Sequence, residues 1–239
     1  MSATPTPTST ATWTEPPNPE YVRSLPDLTL VGVVHDHPAS VARVRSTTER
    51  TEHATLALEL PPLAIGLFEE YAADSRSIPA FGGEMSAAIR ASDATVIGID
   101  GPSRRFYRAL VRHAACDRPS RGELSRLLSA TARATRHAVR CRIAGSLARR
   151  SAIRVEVGSP RTYDCSPHDP PAVQAEDERA QVSQARAVLQ AFSPPNLDRR
   201  NAVREDCMAR TIADAREAGP VVAVVGIDHL DGLESRLEN

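Results

Sequence analysis

Two apolar runs near opposite ends of the chain constrain its fold more than any other feature. Residues 28–38 read LTLVGVVHDHP and residues 221–230 read VVAVVGIDHL. Short, unbroken, β-branched runs are the mark of strands buried on both faces, as in the centre of a parallel sheet. Each run ends in Gly-x-x-His, pairing Gly32 with His35 and Gly226 with His229. A glycine near a strand's end lets backbone or a ligand come close. Two such strands would deliver two imidazoles to one edge of the same sheet.

The rest of the chain supplies what a sheet of that kind needs. TLALEL at 55–60, stopped by Pro61 and Pro62, reads as a second strand, and TVIGI at 95–99 as a third. Helices are expected over 38–52, 63–73 and 84–92, then over 173–192 and 197–218, with Gly219 and Pro220 ending the last. Residues 153–157 read as a short strand, 158–171 as loop, and the end of the chain as a short helix. Strands alternating with helices predict an α/β fold, a mostly parallel central sheet flanked by helices. A helical insertion, about 104–218, falls between the third strand and the last. Residues 1–26 are rich in Thr, Pro and Ser and read as a disordered tail. Residues 27–239 read as a single domain.

Composition removes several classes of function. A formal net charge of −1 gives no global attraction to polyanions. All 29 basic residues are arginine, and fourteen of them lie between 104 and 154. That stretch reads as long amphipathic helix with a positive face, set against the acidic residues 176–178 rather than against nucleic acid. Cys116, Cys141, Cys165 and Cys207 lie far apart with no zinc-ribbon spacing, as expected of free thiols in a reducing compartment. No signal peptide and no apolar run near the ~20 residues of a membrane span can be read, so a soluble cytoplasmic protein is expected. There is no P-loop, no G-x-G-x-x-G and no Gly-x-Ser-x-Gly elbow.

In open parallel sheets ligands bind beyond the carboxyl ends of the strands. The four strands would deliver His35, Glu59, Asp100 and His229 there. Two imidazoles with carboxylates can hold a divalent cation and activate water. Glu59 sits among residues that expect burial, so it needs a counter-charge; an arginine such as Arg204 would serve as well as a metal. Asp100, before Gly-Pro, is also a natural turn-former. His37, before Pro38, reads as an outward turn residue, and His53, His113, His137 and His168 as solvated surface.

These motifs resemble those of the TraB family, with its Tiki and GumN-like relatives. That family's pattern is a pair of Gly-x-x-His motifs, a pair of glutamates and an arginine. Gly32 with His35 resembles the first motif and Gly226 with His229 the second. Glu59 in ALELPP resembles the first glutamate and Glu84 in GGEMSAAI the second. Asp100 in TVIGIDGP and Arg204 in VREDCMARTIADA are similar to the family's Asp and Arg positions. Gly101 departs from the arginine that commonly follows the aspartate, and Val203 from a common glutamate. The resemblance spans about residues 28–237 and implies a fold similar to erythromycin-esterase-like and ChaN-like proteins. It implies a metal-dependent hydrolase, peptidase-like, acting on a peptide or small molecule. His35, His229 and Glu59 would hold Mn²⁺, Co²⁺ or Zn²⁺, with Glu59 or Glu84 as general base and Arg204 stabilising the oxyanion. A non-catalytic ligand- or haem-binding protein of the same fold is the alternative.

Overall fold

In the computed structural model, strand β2 (Leu28–Val33) lies against β5 (Val221–Gly226), so the two Gly-x-x-His runs are parallel neighbours in register from Leu28 opposite Val221 to Val33 opposite Gly226. The structure describes residues 15–74, 81–103, 106–108, 111–112, 121–151, 156–157, 161–192 and 197–238. β5 pairs on its other side with β3 (Thr55–Leu58), and β3 with β4 (Thr95–Gly98), all parallel. The sheet order is β1-β2-β5-β3-β4. The expected α/β architecture, a mostly parallel sheet flanked by helices, is the one observed.

Side-chain alternation divides the core into two layers. On one face Leu30, Ala57, Val221, Ala223 and Val225 pack on Met208 and Ile212 of α6 (Leu197–Arg216) and on Leu230 and Leu233 of α7 (Leu230–Leu237). On the other face Val31, Val33, Leu56, Leu58, Val222 and Val224 pack on Val44 of α1 (Pro38–Arg50) and on Met85 and Ala88 of α3 (Gly83–Arg90). Successive residues of a strand face opposite layers, which is why these strands carry no polar alternation.

Between β3 and α3 the chain makes a 3-10 turn (Pro62–Ala64) and α2 (Ile65–Ala72). The arginine-rich stretch contains α4 (Arg121–Arg150), which packs on α2 and on the 3-10 turn. Its approach is close, since a Cβ at Gly145 would lie 2.9 Å from the Leu67 nitrogen. Helix α5 (Pro171–Phe192) packs on α1. Glu178 and Asp177 of α5, expected to face the arginine-rich stretch, instead pair with Arg43 and His37. No helix among the described residues is long and apolar enough to cross a membrane. The strand expected at 153–157 lies largely outside the described residues, as do Cys116 and His113.

Residues 22–25 correct the reading of a disordered tail through 26. They form β1 (Val22–Leu25), antiparallel to β2 through a tight turn in which Asp27 takes φ 54°. Composition averaged over a Pro- and Thr-rich window hides this strand, because its stabilisation comes from the free edge of β2 rather than from its own residues. Arg23 fastens it further through Glu234 of α7 at 3.0 Å.

Candidate functional site

The carboxyl ends of the parallel strands open on a crevice of about 680 Å³. His35, two residues past β2, lines it together with Glu59, one residue past β3, and Gly226 and His229 at the end of β5. Arg204 reaches in from α6. The outer wall is Tyr163 with the loop around it, and Val182 and Ala185 of α5. The Tyr163 hydroxyl donates to the His35 carbonyl, which ties this wall to the end of β2.

Arg204 is the hub. Its Nε and Nη2 donate to both oxygens of Asp100, at 3.1 and 2.9 Å, a bidentate pair. Nη2 also donates to Glu59 Oε1 at 2.7 Å, and the second Glu59 oxygen accepts the Gly226 N–H at 2.6 Å. The counter-charge that a buried Glu59 requires is therefore an arginine, the alternative open in the sequence. Burial alone would lower the Arg204 pKa, but Asp100 and then Glu59 hold it above the ordinary arginine value.

His229 lies between consecutive residues of one helix. Its Nδ1 faces Glu205 Oε1 at 3.0 Å, and its Nε2 faces Arg204 Nη1 at 3.2 Å and Glu59 Oε1 at 3.5 Å. A guanidinium can only donate, so Nε2 is the accepting nitrogen and Nδ1 carries the proton to Glu205. The accepting Nε2 faces Arg204, which lines the crevice with it.

His35 is arranged differently. Its Nδ1 lies 2.7 Å from Glu84 Oε1, while the other Glu84 oxygen accepts the Asp36 N–H at 2.8 Å. Glu84 is 2% exposed, so this carboxylate is compensated mainly by the imidazolium. The Glu84 hydrogen bond raises the His35 pKa to about 9, against an opposing effect of burial. Gly82 and Gly83, at φ 81° and 47°, turn the chain into α3 and place Glu84 there; a Cβ on Gly83 would strike the Asp36 carboxylate. Glu84 thus stands behind His35 rather than on the crevice wall.

Gly32 does not face the site. A Cβ there would lie 2.3 Å from Leu230 Cδ1, so this glycine lets α7 close on β2. Gly226 contributes its N–H to Glu59, and Asp100 acts through Arg204.

The divalent ion expected on His35, His229 and Glu59 can be tested against these positions. All three residues reach one crevice, but the electron pairs of His229 and Glu59 are committed. Arg204 donates to both His229 Nε2 and Glu59 Oε1, and Gly226 takes the other Glu59 oxygen. A cation bound to His229 and Glu59 would lie against a guanidinium that Asp100 holds in place. As placed, the residues do not fit a metal ion, because Arg204 already occupies the cation position.

A second group, His37, Cys165 and Asp177, brings three ligand-type atoms within 4.8 Å of one another. His37 is fully buried, not an outward turn residue, because it caps α1: its Nδ1 accepts the Ala39 N–H at 3.1 Å. Nε2 must then carry the proton, and it donates to Asp177 Oδ2 at 3.0 Å. Metal ligation through Nε2 would require moving that proton to Nδ1, against a backbone donor. Burial and Asp177 push the Cys165 thiol up to about 12. The group is a hydrogen-bonded pin joining α5 to the start of α1.

Sequence reasoning passed over Glu205, which was overshadowed by its neighbour Arg204, and also Tyr163. For Glu205 a signal existed, since it is a carboxylate adjacent to the candidate arginine on a helix that must face the sheet. For the loop residue Tyr163 there was none. Comparison with models of known families, with curated proteins and with solved structures gave no match to this chain.

Proposed function

We propose that the crevice is the active site of a hydrolase that attacks a carbonyl carbon, with peptide bonds as the first substrate class to test. The observation that supports this reading is the opposite hydrogen bonding of the two imidazoles. His229 has its Nδ1 on Glu205 and an accepting Nε2 beside Arg204, whereas His35 is kept protonated by Glu84. Paired groups held in different protonation states are how one site supplies both a base and an acid.

In this reading the substrate carbonyl draws the Arg204 Nη1 hydrogen bond away from Nε2, and the freed His229 Nε2 takes a proton from water as the water oxygen bonds to the carbonyl carbon. Arg204 Nη1, beside Nε2, turns to the oxygen that gains negative charge. The carbon–nitrogen bond then breaks, and His35 gives its proton to the leaving amine. Solvent exchange afterwards removes the proton from His229 and restores it to His35. Glu59 and Asp100 hold Arg204 in position, and the apolar side chains of α5 exclude water from one wall. The metal ion implied by the resemblance has no part in these steps.

Hydrolysis of a mixed fluorogenic peptide library by purified protein tests this, with wild type beside His229→Ala and with EDTA beside added Mn²⁺, Co²⁺ or Zn²⁺. Chelator-resistant cleavage lost in His229→Ala is expected. Cleavage that appears only with an added metal would return the site to metal-dependent hydrolysis. The absence of cleavage under every condition would remove the hydrolase reading.

A further inference from the structure

Glu205 and Gly232 form a unit on either side of His229. Glu205, 8% exposed, has one oxygen on His229 Nδ1 at 3.0 Å and the other 3.0 Å from Arg236 Nη1. Arg236 in turn donates to the Gly232 carbonyl at 2.7 Å and to Asp206 at 2.7 Å. Gly232 lies inside α7, where glycine is the poorest helix former apart from proline. Its value is spatial, since a Cβ there would lie 2.3 Å from Glu205 Oε2, 2.6 Å from Cδ and 2.9 Å from Oε1. The helix gives up propensity to leave room for this carboxylate.

We infer that Glu205, seated in the space left by Gly232, is the positioning residue that fixes the His229 tautomer and keeps Nε2 an acceptor beside Arg204 on the crevice wall. The consequence for catalysis rests on the hydrolase reading above; the tautomer itself does not. Both partners of Glu205 are donors, the Arg236 guanidinium permanently and the His229 ring by choice of tautomer. A carboxylate can accept from both. A glutamine has one oxygen and one NH₂, and because Arg236 can only donate, Arg236 claims the oxygen. The NH₂ then faces His229 Nδ1 and forces the ring proton toward Nε2, where it meets Arg204. An alanine at 232 does the same by another route. The carboxylate is the free end of a flexible side chain, so it yields to the new Cβ and leaves Nδ1 without its acceptor.

Long-range ¹H–¹⁵N spectra of ¹⁵N-histidine-labelled full-length protein test this, because they report which ring nitrogen carries the proton. Thermal melts accompany them, with peptide hydrolysis assayed alongside. Wild type is expected to show the Nδ1–H form at His229. Glu205→Gln is expected to convert it to the Nε2–H form or a mixture. Gly232→Ala is expected to lose the single Nδ1–H form while still giving one cooperative melt, which separates positioning from folding. An Nε2–H ring in wild type, or an Nδ1–H ring that persists in both variants, overturns the inference whatever the activity. If the tautomer changes as expected while wild type cleaves no peptide, the positioning role stands and the hydrolase reading falls.

Discussion

Replacing Arg43 by methionine should unseat the helix that walls the crevice, and the size of the effect follows from the bonds this side chain makes. Arg43 is fully buried in α1. Its Nε and Nη2 donate to the Gly32 carbonyl at 3.1 and 2.7 Å, and its Nη1 to the Pro17 carbonyl at 3.0 Å. Nη1 and Nη2 donate to the two oxygens of Glu178 at 2.7 and 2.8 Å. Glu178 on α5 is itself fully buried, and its other donors are neutral: Asn18 Nδ2 at 2.6 Å and the Ser40 hydroxyl. Methionine fills comparable volume but leaves the carboxylate without a cation. Breaking a buried pair in this way costs about 3–5 kcal/mol, a large part of the ~5–15 kcal/mol that keeps a domain folded.

The pH dependence gives the sharper test. In the wild type, burial alone would raise the Glu178 pKa, but Arg43 with Ser40 and Asn18 hold it below the usual carboxylate value. A depressed folded pKa contributes stability that is present above the unfolded value and lost as pH falls. Without Arg43 the burial effect prevails, the folded pKa rises, and the sign reverses: the variant recovers stability as Glu178 protonates. Urea unfolding should show the loss at its largest at pH 7 and clearly smaller at pH 4.5. Arg43→Met with Glu178→Gln should recover most of the loss, since a buried pair replaced on both sides is often close to neutral. A loss below about 1 kcal/mol, unchanged between the two pH values, would refute the reasoning.

Glu84→Gln should drop the His35 pKa from about 9 toward its ordinary value, read by NMR titration. The pair's stability contribution is full below the ordinary histidine value of 6.5 and fades as pH rises through about 9. It should amount to about 1–2 kcal/mol once solvent screening of a 43% exposed imidazole is allowed for. Arg204→Met should leave Glu59 and Asp100 without their cation, at a cost of about 2–4 kcal/mol in chemical denaturation. The same variant should bind Zn²⁺ near stoichiometrically by calorimetry where wild type does not, since it frees His229 Nε2 and Glu59 Oε1. Leu58→Ala, at a fully buried position, should cost about 3 kcal/mol in urea unfolding.

The sheet was legible in the sequence because its signals are local. The runs at 28–33 and 221–226 carry their own burial pattern, and the proline pair after Leu60 and the Gly-Pro after Ala218 stop their elements without outside help. Strand ends also locate a site, so His35, Glu59, Asp100 and His229 could be placed at one edge of the sheet from their positions alone. β1 was not legible, because its stability derives from a neighbouring edge.

What the residue types could not decide is which charge neutralises which. A histidine, two carboxylates and an arginine near one another are equally consistent with a metal site and with a closed network of ion pairs. The choice depends on tenths of an ångström between groups 25 to 145 positions apart, such as Arg204 with His229 and with Glu59. It also depends on the space that Gly232 leaves beside Glu205. The sequence alone determined the sheet and the chemistry delivered to its edge, since backbone pattern and strand ends are local properties. Only the tertiary structure decided the partner of each group, since that follows from distances that the packing of α3, α6 and α7 on the sheet creates.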